Sequence, residues 1–65
     1  MIYKDYQSFR VKHGVVDVFV IDYDDRQSIQ LFISDHLSHS VSSSTFTLEE
    51  FESFISFLDV INDNL

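Results

Sequence analysis

The chain has 65 residues, a formal net charge of −7, seven Phe, three Tyr, one Gly and neither Cys nor Pro. This length predicts a single domain over residues 1–65, and the lack of Cys excludes disulfides and thiolate metal sites. The negative charge opposes direct binding to a nucleic-acid backbone, and a hydrophobic fraction of 45% argues against disorder. We therefore expect a folded acidic protein that is stabilised by aromatic packing or by a second copy of the chain.

The sequence predicts no contact with a membrane. The longest uninterrupted apolar run, residues 18–21, is far shorter than the ~20 residues of a membrane-spanning helix. The N-terminal sequence also lacks the basic and apolar regions of a secretory signal. We therefore expect a cytoplasmic protein.

The first half of the chain begins with two predicted strands. Residues 9–12 end an alternating segment, and His13 and Gly14 form a turn signal in which Gly can adopt a positive φ. Residues 15–23 are β-branched or aromatic on both alternating faces, which is typical of a central strand covered on two sides.

A third strand follows a polar turn at residues 23–27. Residues 28–34 alternate again and direct three aliphatic side chains to one face. Residues 35–45 are polar and rich in Ser, which favours a loop, and Val41 marks a candidate for a short edge strand. The aliphatic side chains of the third strand are Ile29, Leu31 and Ile33.

The C-terminal segment predicts one helix that ends near Asn62. Thr47 and Glu50 have the spacing of a capping box, and Phe46 and Phe51 have that of a hydrophobic staple. Apolar residues at three- and four-residue steps then form a stripe that would cover the sheet. The predicted fold is α+β: an antiparallel meander of three strands, or four with Val41, followed by a helix on one sheet face. The stripe comprises Leu48, Phe51, Phe54, Ile55, Leu58 and Ile61.

One flank of the predicted helix is acidic. Four carboxylates recur on it over about 21 Å of helix, and the sequence has neither Lys nor Arg after Arg26. This pattern suggests a surface that presents carboxylates where a DNA-binding protein expects phosphates, and the alternative is an ordinary solvated surface. Asp24 and Asp25 would extend the acidic surface. The four residues, the acidic flank below, are Glu49, Glu52, Asp59 and Asp63.

Three apolar residues lie outside the predicted core. Phe57 and Val60 are off the apolar stripe of the helix, and Phe32 is on the sheet face that the helix cannot cover. We expect these residues to form the interface of a homodimer.

The sequence does not predict an enzyme, a cofactor or a metal. Asp35, His36 and His39 could place three ligands together, but no further cluster completes a four-ligand site, so a polar loop is the preferred interpretation. There is no nucleophile motif or Gly-rich phosphate loop. Aromatic and basic residues alternate in the first strand, but direct nucleic-acid binding is disfavoured by the acidity of the remaining chain.

An acidic turn at Asp24 and Asp25 precedes an alternating strand, and the run Leu-Glu-Glu-Phe-Glu at residues 48–52 begins the predicted helix. In these two features the chain resembles the small phage inhibitors of uracil-DNA glycosylase. The resemblance covers residues 16–34 and 47–55, and Phe51 and Glu52 match by position. It implies a dimer that mimics DNA, occupies the DNA-binding groove of a repair enzyme, and acts in the host cytoplasm if a phage encodes it.

We therefore expect a non-enzymatic acidic inhibitor of a DNA-processing enzyme. Its partner-binding residues would be the acidic flank, Asp24, Asp25 and Phe51. The alternative is an assembly module that forms homo-oligomers, with the acidic surface serving solubility.

Overall fold

The computed structural model describes residues 2–65, with Tyr23 described through its backbone only, so Met1 of the expected 1–65 domain lies outside the described residues. Four strands form one antiparallel sheet in the order β1-β2-β3-β4, and a helix follows the last strand directly. The predicted α+β meander with one C-terminal helix packed on the sheet is confirmed, and the sheet has four strands. The elements are β1 (Ile2–Val11), β2 (Gly14–Tyr23), β3 (Arg26–Asp35), β4 (Ser40–Thr47) and α1 (Leu48–Asp63).

The two faces of the sheet follow from the strand register. Val18 lies opposite Leu31, and Ile29 lies opposite Phe46, so these side chains share one face. Because α1 packs on β3 and β4, this is the helix face. The alternate residues, among them Phe19, lie on the opposite face, which we call the open face.

The β2–β3 turn is built from two Asp residues in the left-handed region. Asp24 has φ of 47° and Asp25 has φ of 60°. Two positive φ values in a two-residue hairpin loop are typical of a type I′ turn, and Asp tolerates this conformation better than most residues. The polar residues of this turn therefore also serve the hairpin geometry.

The only glycine has a different role from the one that the sequence suggests. Gly14 is the first residue of β2 and does not have a positive φ; the preceding turn consists of Lys12 and His13. A Cβ atom at position 14 would overlap the carbonyl oxygen of Ser34 on β3. The expectation of a positive φ was wrong, and Gly14 is required by the close approach of two backbones.

The Ser-rich segment is mostly a strand. The sequence predicted a loop over residues 35–45, whereas the structure has only a turn at residues 36–39. Strand β4 pairs with β3 over its whole length, from Ser40 opposite Asp35 to Thr47 opposite Ser28. Small hydroxyl residues are compatible with an exposed edge strand, because the backbone of β3 supplies its hydrogen bonds.

Helix α1 begins as predicted. The Thr47 hydroxyl accepts a hydrogen bond from the Glu50 N–H at 3.1 Å, and a Glu50 carboxylate oxygen accepts one from the Thr47 N–H at 2.9 Å. Phe46 and Phe51 form the staple with ring centroids 6.1 Å apart. The helix ends at Asp63, one residue beyond the prediction.

The hydrophobic core is small. Within the described residues, the buried apolar side chains are those of Ile21 and Ile29. The predicted stripe of α1 faces the sheet only in part: Phe51 and Phe54 are half-buried, and no residue of the helix is fully buried. Much apolar surface therefore stays accessible on both faces of the sheet.

Candidate interaction surfaces

The acidic flank is fully exposed on α1. Glu49, Glu52, Asp59 and Asp63 are all exposed, and the helix has no basic residue in its last turn. Among the described side chains, one carboxylate forms an ion pair, Asp22 with Lys4 at 3.4 Å, and it lies on the sheet. The flank therefore presents four negative charges without a neighbouring cation on its helix.

The acidic turn lies at the same end of the sheet as the beginning of the helix. Ser28 of β3 pairs with Thr47, the residue that caps α1. Asp24 and Asp25 are therefore at the end where Glu49 begins the acidic flank, whereas Asp63 is about 21 Å further along the helix. The structure thus brings the acidic turn to one end of the flank.

An apolar groove lies between α1 and the sheet, with a volume of about 340 Å³. On the helix side, Phe51 and Phe54 pack with Phe46 of β4, and the ring centroids of Phe46 and Phe54 are 5.4 Å apart. Sequence reasoning placed Phe51 both in the core and at a partner contact, and the groove makes the two positions compatible because Phe51 is only half-buried there. The groove is lined by Val16, Val18, Leu31, Ile33, Phe51, Phe54, Ile55 and Leu58.

The open face carries a row of contacting aromatic rings. Phe19 is at its centre, with ring centroids 4.6 Å from Tyr6 and 5.5 Å from both Tyr3 and Phe32. The Tyr6 hydroxyl donates a 2.8 Å hydrogen bond to an Asp17 carboxylate oxygen. Offset and edge-to-face contacts between aromatic rings each stabilise the fold modestly, and they leave the outer surfaces of the rings accessible.

A β-bulge brings Tyr3 to the open face. Tyr3 pairs with Ile21 and Asp5 pairs with Val20, so Lys4 is an extra residue in β1. Strict alternation would place Tyr3 and Tyr6 on opposite faces of the sheet. The extra residue shifts the alternation by one position, so both side chains lie on the open face. Sequence reasoning missed this cluster, although the apolar character of both faces of β2 pointed to it.

The three residues predicted for the dimer interface do not lie together. Phe57 and Val60 are exposed on α1, whereas Phe32 is half-buried on the open face, in contact with Phe19. The helix and the open face are on opposite sides of the sheet, so one flat interface cannot contain all three residues.

The β3–β4 turn shows no sign of a metal site. A carboxylate oxygen of Asp35 accepts a hydrogen bond from the Leu37 N–H at 2.9 Å, and this bond, with the Ser38 side chain, lowers the pKa of Asp35. His39 has a positive φ of 55°, and the His36 N–H donates to the His13 carbonyl oxygen at 2.8 Å. Within residues 2–65, no group of three or more His, Cys, Asp or Glu side chains is placed so that it could bind one metal ion.

In the described part of the chain, α1 is too short and too acidic to cross a membrane. Family models, curated proteins and solved structures contain no match to this chain.

Proposed function

We propose that the chain is a non-enzymatic inhibitor that binds a DNA-processing enzyme through α1, with the acidic flank in the place of DNA phosphates. The observation that carries this proposal is the position of the acidic flank beside the apolar groove. Ile55 lines the groove and lies one helical turn from both Glu52 and Asp59, so their side chains are neighbours on the helix surface. A partner that contacts the groove therefore meets carboxylates next to apolar surface.

These two surfaces have different roles in binding. Apolar contacts in the groove supply affinity, because water leaves apolar surface at the centre of an interface. The exposed carboxylates steer the encounter with a basic surface and make binding dependent on salt. A DNA-binding groove lined with Lys and Arg has the complementary charge.

The resemblance to inhibitors of uracil-DNA glycosylase identifies a first enzyme to test. The two residues that match this family by position both lie at the proposed site, since Phe51 lines the groove and Glu52 belongs to the acidic flank. A host cytoplasm is the setting that this function requires.

The test is inhibition of uracil excision by uracil-DNA glycosylase at salt concentrations from about 50 to about 500 mM. We expect inhibition that weakens as salt increases. Glu52→Gln should weaken it several-fold, as expected for an exposed interface charge. The matched control is Ser53→Lys, which makes the same change in net charge at the next residue, exposed on another side of α1.

Each outcome bears on a separate part of the proposal. Equal losses with Glu52→Gln and Ser53→Lys would mean that total charge matters and the acidic flank does not. Inhibition that is insensitive to salt would contradict phosphate mimicry. If uracil-DNA glycosylase is not inhibited, that target is excluded, and the same pair of variants can be applied to other enzymes that bind DNA.

We propose self-association as the second function, because the single chain exposes more surface than its mass predicts. A compact monomer of 7.6 kDa should expose roughly 4,300 Å², whereas this chain exposes 5442 Å². The excess, on the order of 1,100 Å² per chain, equals one side of an interface that buries roughly 2,200 Å² in total, the size of an obligate homodimer. Sedimentation equilibrium tests this proposal, and a monomer throughout the micromolar range would contradict it.

A further inference from the structure

We propose that two copies of the chain associate through the open face, not through α1. This inference rests on the self-association proposed above and adds to it the surface that is used. The open face is formed by strand residues on the side of the sheet away from α1, which packs on β3 and β4. Its apolar members are Tyr3, Tyr6, Val15, Phe19, Ile21, Phe32 and Val41, of which Ile21 is buried.

The first argument is the continuity of the apolar surface. The rings of Tyr3, Tyr6, Phe19 and Phe32 form one continuous row across β1, β2 and β3. Val41, opposite Ser34, extends the apolar surface to β4. An interface with two-fold symmetry uses the same surface patch on both copies, so the aromatic row of one copy would meet that of the other.

The second argument is charge. The strand register places Arg10, Arg26 and a single acidic residue, Asp17, on the open face. Asp17 already accepts a hydrogen bond from the Tyr6 hydroxyl, so one carboxylate oxygen keeps a partner when water leaves.

Contact through the two helices would instead place like charges side by side. Both acidic flanks would meet without a cation on either helix, and like charges that face each other across an interface disfavour association. In a chain of net charge −7, contact through the open face therefore brings fewer like charges together than contact through α1.

The third argument is area. Four strands about 4.8 Å apart and roughly 32 Å long present on the order of 600 Å² per copy. Two open faces in contact would bury about 1,200 Å² or more, which reaches the lower limit of a specific, stable interface. The open face alone is thus large enough to hold a dimer, and it accounts for about half of the excess surface of the chain.

The experiment compares exposed apolar residues in two pairs that are matched for accessibility. Tyr3 on the open face is 57% exposed and Phe57 on α1 is 59% exposed; Val41 on the open face and Phe9 on the helix face are both 67% exposed. Each is replaced by Glu, circular dichroism confirms that the variants are folded, and sedimentation equilibrium measures the dimer dissociation constant. We expect Tyr3→Glu and Val41→Glu to raise this constant at least roughly tenfold, and the two controls to leave it near the wild-type value.

The other outcomes separate the alternatives. If Phe57→Glu or Phe9→Glu dissociates the dimer and the open-face variants do not, the interface is on the helix face and the inference is wrong. A monomeric wild-type chain would contradict self-association itself, independently of the test with Glu52→Gln. If a fluorescent single-stranded oligonucleotide binds the wild-type monomer and Tyr3→Glu abolishes that binding, the aromatic row serves nucleic acid and not a second copy.

Discussion

Replacement of Thr47 by Ala should destabilise the protein measurably, because this residue fixes the beginning of α1. The Thr47 hydroxyl accepts the Glu50 N–H at 3.1 Å and the Glu50 carboxylate accepts the Thr47 N–H at 2.9 Å. Ala removes the first of these bonds and leaves an N–H of the first turn to water. Loss of an N-cap hydroxyl costs about 1 kcal/mol, within a range of about 0.5–2 kcal/mol.

The expected change in melting temperature follows from the size of the chain. Unfolding entropy is about 2.1 cal/mol/K per residue, or roughly 0.14 kcal/mol/K for a chain of this length, so 1 kcal/mol corresponds to a decrease of about 7 °C. The helix has few other contacts to compensate, since none of its residues is fully buried. A decrease of this size is easily measured by circular dichroism.

Thr47→Ser is the matched control, because Ser keeps the hydroxyl acceptor that the N–H of Glu50 requires. All variants are melted at one protein concentration, because self-association would make the melting temperature depend on concentration. Thr47→Ser should stay close to the wild type. If Thr47→Ala melts within about 2 °C of the wild type, or if Ser and Ala lower the midpoint equally, the cap contributes little and the reasoning is wrong.

Three further predictions concern the sheet, the helix packing and the turn. Gly14→Ala should cost about 1–3 kcal/mol in denaturant unfolding, because its Cβ would force the Ser34 carbonyl to move; a neutral result would show that the backbones separate freely. Phe54→Ala should cost about 2 kcal/mol, roughly half the value of a fully buried Phe, whereas the exposed Phe57→Ala should change stability by less than about 0.5 kcal/mol; equal effects would contradict the observed packing of α1. The lowered pKa of Asp35 means that its stabilising contribution is present above the unfolded pKa and is lost as pH falls through the folded pKa. In urea titrations, Asp35→Asn should therefore have a lower free energy of unfolding than the wild type at neutral pH, and the difference should be smaller in acid. A difference that stays constant with pH would contradict this.

The helix could be predicted from sequence because its signals are local. The capping box joins Thr47 to a residue three positions away, and the staple joins Phe46 to Phe51. Both depend on residues within one or two turns, so no knowledge of the sheet is needed to recognise them. The turn at Asp24 and Asp25 is local in the same sense.

Features that depend on distant backbones could be predicted only in part, since the sequence offered no more than a candidate edge strand at Val41 for β4. The Ser-rich segment becomes a strand because β3 offers unpaired backbone groups beside it, and its own side chains carry little strand signal. Gly14 is required by the carbonyl of Ser34, twenty residues later in the chain. The extra residue at Lys4 moves Tyr3 to the other face of the sheet, and an alternation pattern cannot show such a shift.

The two proposed surfaces are compatible with each other because the sheet separates them. If two copies meet through their open faces, the sheets lie about 10 Å apart and each α1 remains on an outer surface. The acidic flanks, Glu49 to Asp63, then stay accessible on both sides and as far from each other as the dimer allows. Association through α1 would cover the same flank that a basic partner must reach, so a protein that needs both functions requires separate surfaces for them. A dimer of this kind presents two equivalent acidic sites, so one dimer should bind two enzyme molecules. The variant Tyr3→Glu should separate the dimer into monomers that each keep one site, with the affinity per site unchanged.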